Sequence, residues 1–70
     1  GPVRREAGRW LRKLARVAPD WAVDDPAGRE VREALLRLRF GARATWPEPG
    51  RVFDQAAVLV RQRRTRSRAT

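Results

Sequence analysis

Residues 3–18, VRREAGRWLRKLARVA, decide the fold, because apolar side chains recur in them at alternating spacings of four and three. These spacings place the side chains on one face of an α-helix. The stripe consists of Val3, Ala7, Trp10, Leu14 and Val17, widened by Leu11 and Ala18. The charged positions outside it are basic apart from Glu6, which predicts one strongly amphipathic helix. Pro19 ends this helix, because the residue before a proline is disfavoured in the α region.

A second helix is predicted over residues 26–40, PAGREVREALLRLRF. Its start, Asp25 followed by Pro26, matches the residues preferred at the N-cap and at the first helical position. Gly41 is typical of the residue just past a helix C-terminus. The connection that precedes this helix, residues 19–26, contains three aspartates and is acidic.

The third helix is predicted over residues 50–64, GRVFDQAAVLVRQRR, after a loop with two prolines. An alternative stays open, because Val58–Val60 would also suit a short strand that pairs with residues 42–46 in a winged-helix arrangement. The expected fold class is all-α, a small three-helix bundle. Eight residues should form its core: Trp10, Leu14, Val31, Leu35, Leu38, Val52, Phe53 and Leu59.

The chain has 70 residues, which suits a single domain. Gly1-Pro2 resemble the remnant that a protease leaves when it removes a tag, so we set them apart, and the chain could be a fragment of a longer protein. Residues 3–64 should form the helical domain. The stretch 61–68 contains five arginines and no apolar residue, and we expect residues 65–70 to be a disordered basic tail.

The charge is strongly positive, since 17 basic and 8 acidic residues give a net charge of +9. All the basic residues except Lys13 are arginine, a bias that GC-rich coding would also produce. Such a bias explains the use of arginine in place of lysine, but it does not explain the excess of positive charge. A small body with this charge attracts polyanions.

The residue inventory argues against an enzyme. The sequence contains no His, Cys, Tyr or Met, so general acid–base chemistry would fall to scattered carboxylates. We therefore expect no catalysis, no cofactor, no metal site and no small-molecule substrate. No apolar run approaches the roughly 20 residues of a membrane span. We expect an intracellular protein, of the bacterial cytoplasm or the eukaryotic nucleus.

Two groups of basic residues are candidates for binding the phosphates of DNA or RNA. The first is a stripe on the first helix at spacings of four, three and four, flanked by a lysine: Arg5, Arg9, Arg12, Lys13 and Arg16. The second lies at the C-terminus: Arg61, Arg63, Arg64, Arg66 and Arg68. Each phosphate that they neutralise would release condensed cations, which makes such binding salt-dependent.

The alternative function is a protein–protein interaction module, for docking or homo-oligomerisation, whose arginine content would reflect coding bias. A thin core and three tryptophans favour it. Trp21 and Trp46 lie in the two connections, where they either close the ends of the core or act as exposed anchors for a partner. Binding to a membrane surface is disfavoured, because Trp10 and Leu14 are needed in the core.

Overall fold

The computed structural model describes the backbone of residues 1–69 and the side chains of residues 1–21, 23 and 25–64. Over that range three long helices pack into one bundle, as predicted. The elements in chain order are α1 at Pro2–Val17, α2 at Trp21–Asp24, α3 at Pro26–Phe40, a 3-10 turn at Arg43–Thr45 and α4 at Pro49–Ala69.

The winged-helix alternative is wrong, because none of residues 1–69 lies in a β-strand. The stretch 42–46 contains the 3-10 turn, and Val58–Val60 lie within α4. A short apolar run does not by itself distinguish a strand from a helix. Residues 58–60 are helical because a helix buries Val52, Ala56 and Leu59 together, at spacings of four and three.

The starts of α1 and α3 follow from their first residues. Gly1 is the N-cap of α1, and Pro2 lies in its first turn. Proline suits this position because backbone N–H groups in the first turn have no intrahelical acceptor. The two residues that we set apart as a tag remnant are therefore part of this helix. In α3 the N-cap carboxylate of Asp25 accepts a hydrogen bond of 3.0 Å from the Ala27 N–H.

The bounds of α1 and the start of α4 differ from the prediction by one residue, and two differences are larger. The short helix α2 was not predicted, because four residues are too few to show a helical period. Helix α4 continues past residue 64 to Ala69, through most of the stretch for which we predicted a disordered tail. Glycine and proline are absent from residues 51–69, and arginine and glutamine are good helix formers, so nothing in the sequence stops the helix earlier.

The three long helices run up, down and up. Arg4, near the start of α1, donates hydrogen bonds to the carbonyl oxygens of Arg39 and Gly41 at the end of α3. Just after α1, Asp20 pairs with Arg63 near the far end of α4. Helix α3 is therefore antiparallel to α1, and α4 is parallel to it.

The core confirms most of the sequence-based assignment. Of the eight predicted residues, Leu14, Leu35 and Leu38 are fully buried, and Val31, Val52 and Leu59 are buried. The other two, Trp10 and Phe53, are partly buried at the margin. Residues outside that list of eight complete the cluster: Ala7, Ala18, Trp21, Ala56 and Val60. In the part of the chain that the structure describes, no helix is both long and apolar enough to cross a bilayer.

Candidate nucleic-acid interface

The arginine stripe of α1 lies on the side of the helix that faces solvent. Arg5, Arg9, Arg12 and Arg16 are all exposed, whereas Ala7 and Leu14 are buried against the other helices. At about 100° of rotation per residue, the four arginines fall within about 60° around the helix axis. At a rise of about 1.5 Å per residue, they extend along about 16 Å. We call these four residues the arginine row.

No carboxylate whose side chain is described forms an ion pair with the arginine row. Among the residues whose side chains are described, no acidic oxygen lies within 4.0 Å of these guanidinium groups. Nor do three acidic side chains come together to hold a metal ion anywhere in those residues. The charge of the arginine row is therefore available to an external anion.

Lys13 borders the arginine row on one side. Its ammonium lies 5.4 Å from the centre of the Trp10 ring, close enough for a cation–π interaction. Together with Arg9, Arg12 and Arg16, it lines an open depression of about 580 Å³. The acidic Glu6 stands beyond Lys13, in a smaller depression shared with Trp10 and Arg9.

The seam between α1 and α3 borders the arginine row on its other side. Gly8 is buried there under the Arg39 guanidinium, whose Nη1 would lie 2.8 Å from a Cβ built on the glycine. Arg32 precedes Arg39 by seven residues, about two helical turns, so both belong to the same row of α3. Arg32 is exposed, and it extends the positive surface across the seam. Sequence analysis missed it, and its spacing from Arg39 was the only available signal.

Two arginines beside this surface are engaged within the protein. Arg4 donates from Nη1 to the Arg39 carbonyl at 2.7 Å and from Nη2 to the Gly41 carbonyl at 3.0 Å. Its guanidinium also lies 5.3 Å from the centre of the Trp46 ring. In return, Arg39 donates from Nη1 to the Arg4 carbonyl at 3.3 Å. This reciprocal arrangement fixes the start of α1 to the end of α3.

The comparisons with known proteins gave no relative. No family model, curated protein or solved structure matches this chain.

The two candidate tryptophans have internal roles. Trp21 is only 5% exposed and belongs to the core. The prediction that it closes the end of the core is therefore correct, and the alternative of an exposed anchor is wrong. Its burial follows from α2, which folds back over α3: a Cβ on Gly28 would overlap the Trp21 carbonyl. Trp46 is half-buried, and its indole N–H donates to the Gly41 carbonyl at 3.1 Å.

The three C-terminal arginines whose side chains the structure describes are divided between two sides of α4. Arg61 and Arg64 are exposed, but Arg63 is half-buried and lies 3.8 Å from Asp20. At about 100° of rotation per residue, Arg61 and Arg64 are about 60° apart on one side of α4, whereas Arg63 points away from both. The predicted contacts of Arg66 and Arg68 lie outside the residues whose side chains are described.

A groove between α3 and α4 differs in charge from the surface around the arginine row. Its volume is about 360 Å³, and the buried side chains of Val31 and Leu59 contribute to its lining. Val58 also lines it and is 46% exposed. Its polar lining includes both signs of charge, from Glu30, Asp54 and Arg51, and the neutral amides of Gln55 and Gln62.

Proposed function

We propose that this protein binds the phosphate backbone of a nucleic acid through the arginine row, Lys13 and Arg32. The observation that supports the proposal is the exposure of four aligned guanidinium groups with no carboxylate within 4.0 Å among the described side chains. The proposed role is binding alone, with no catalytic step and no cofactor.

Geometry and electrostatics favour a polyanion over a single small anion. Four positive charges spread along about 16 Å of helix match a ligand whose negative charges also repeat along a line. Duplex DNA has one negative charge for about each 1.7 Å of its axis, so a row of this length lies beside several phosphates. The cations released from those phosphates drive association and make the affinity fall steeply with salt.

The proposal is tested by fluorescence anisotropy with labelled DNA and RNA oligonucleotides over a salt series. At about 50 mM salt we expect dissociation constants tighter than about 10⁻⁴ M, the weak end of non-specific binding. A plot of log affinity against log salt should have a slope of several units. Absence of binding at that level for every oligonucleotide would refute the proposed function.

One observation favours the alternative of a protein–protein interaction module, with a second copy of this chain as the partner. The groove between α3 and α4 exposes Val58 beside Glu30, Asp54 and Arg51. Because both signs of charge are present there, two such grooves can face each other with less repulsion than two arginine rows. This is our second candidate function.

Light scattering at several protein concentrations tests this second candidate. A dimer that forms through the groove should be lost in Val58→Asp, because the introduced carboxylate would be buried at the interface. Val23→Asp is the matched control, since Val23 is 74% exposed and lies on α2, outside the groove. A protein that stays monomeric at all concentrations, or a dimer that survives Val58→Asp, would rule this groove out as the interface.

A further inference from the structure

Phe40 is the aromatic side chain that the fold leaves most in solvent. It is 70% exposed, although Leu38, two residues earlier on the same helix, is fully buried. Phe40 is the last residue of the second predicted helix. In the structure the ring lies outside the core cluster, at the end of α3.

The ring of Phe40 is backed by a fixed cation. The Arg39 guanidinium carbon lies 5.3 Å from the ring centre, within the range of a cation–π interaction. Arg39 is itself held by its hydrogen bond to the Arg4 carbonyl. A ring supported in this way is preorganised, so a ligand that contacts it loses less free energy in ordering the side chain.

Phe40 also lies at the margin of the basic surface. The Arg39 guanidinium that contacts its ring also covers Gly8 on α1. Arg5 and Arg12 are three residues before and four residues after Gly8, and they are therefore its neighbours on the surface of the helix. A strand that runs along the arginine row can place one base near the end of α3.

We infer that Phe40 is a stacking platform for an unpaired base, and that the ligand of the basic surface is single-stranded DNA or RNA. This inference rests on the proposed function. A base stacks on an aromatic ring whatever its identity, and single-strand binding proteins combine such rings with a positive groove that follows the phosphates. Within a duplex the bases are stacked on one another and do not offer a free face to Phe40.

The test compares an oligothymidine of about 12 nucleotides with an abasic phosphodiester of the same length, a size within the range of known single-strand sites. The abasic strand retains the phosphates and lacks the bases, so it reports the backbone contacts alone. We expect Phe40→Ala to weaken binding of oligothymidine about tenfold, and to leave binding of the abasic strand unchanged. Phe40→Trp should restore the affinity, because tryptophan supplies another aromatic face.

Val23→Ala is the matched control, since Val23 is an exposed apolar residue on α2, outside both surfaces. It should alter neither affinity. An oligouridine of the same length is measured in parallel, and the loss caused by Phe40→Ala on either oligonucleotide supports the inference. Each variant is measured with the oligonucleotides and with the abasic strand. The ratio of oligonucleotide affinity to abasic-strand affinity remains informative even if a substitution also lowers stability.

The inference and the proposed function fail in different ways. If the wild-type protein binds the oligonucleotides and the abasic strand equally well, or if Phe40→Ala weakens all of them equally, the stacking role is overturned and phosphate binding stands. If no strand binds at low salt, the proposed function is overturned and the stacking role with it.

Discussion

Arg4 and Arg5 are neighbours in the chain and have opposite roles. The guanidinium of Arg4 donates to two carbonyl oxygens at the end of α3, whereas that of Arg5 is exposed in the arginine row. The two side chains are about 100° apart around α1. Arg4 therefore holds two helices together, while Arg5 can bind an external anion. Identical residue types thus acquire different functions from their place on the helix surface.

This contrast changes the meaning of the net charge of +9. Arg4 and Arg39 bond to backbone carbonyls, and Arg63 pairs with Asp20. Their positive charges are partly engaged inside the protein. The arginine row is distinguished from them by exposure and by the absence of an ion pair to any described carboxylate, which the total charge does not reveal.

The largest effect is expected from replacing three members of the arginine row, Arg9, Arg12 and Arg16, with glutamine. We expect affinity for nucleic acid at about 50 mM salt to fall about 100-fold or more, and the log–log salt slope to fall by about two to three units, because each lost phosphate contact removes nearly one unit. The free energy of unfolding should change little, since exposed substitutions usually have small effects.

The matched control removes the same number of charges elsewhere, through glutamine at Arg29, Arg37 and Arg51, which are all exposed. It should retain most of the affinity. If both triple variants lose affinity equally, binding depends on net charge and not on the arrangement of arginines along α1. The arginine row would then have no special role in binding.

An intermediate effect is expected from Arg4→Met, which keeps the apolar stem and removes the hydrogen-bond donors. We expect the free energy of unfolding to fall by about 2 kcal/mol, because hydrogen bonds to charged groups contribute about 1.5–3 kcal/mol. Urea denaturation measures this change. Arg5→Met is the control and should shift stability by less than about 0.5 kcal/mol. Equal losses in the two variants would contradict the structural role of Arg4.

The smallest effect is expected from Arg63→Gln. The Arg63–Asp20 pair is 3.8 Å long, and the Asp20 side chain is more than half exposed. Exposed ion pairs of this kind contribute about 0–1 kcal/mol, so urea denaturation should detect a loss of less than about 1 kcal/mol. A larger loss would mean that Arg63 belongs with Arg4 among the arginines that hold the fold together.

Local sequence signals were sufficient for the bundle and for part of the site. Helix α3 has the predicted bounds, because Asp25-Pro26 and Gly41 mark its ends and Leu35 and Leu38 mark its buried face. The arginine row was predicted from spacings of four, three and four, which a helix converts into one side. Both features depend on residues within a few turns of one another.

The features that the sequence did not reveal depend on distant contacts. Arg4 and Arg39 are 35 residues apart, and no local pattern pairs them. The burial of Trp21 likewise depends on α2 folding back onto Gly28. Phe40 is different, because it lies two residues, about 200° of helical rotation, from the buried Leu38, so its exposure follows from the helical period.

The arginine row also links ionic strength to the thermal behaviour of the free protein. Like charges three and four residues apart on a helix repel one another, and dissolved salt screens this repulsion. Added salt should therefore raise the melting temperature of the unliganded chain while it weakens complex formation. A bound polyanion would raise the melting temperature at low salt by relieving the same repulsion and by mass action.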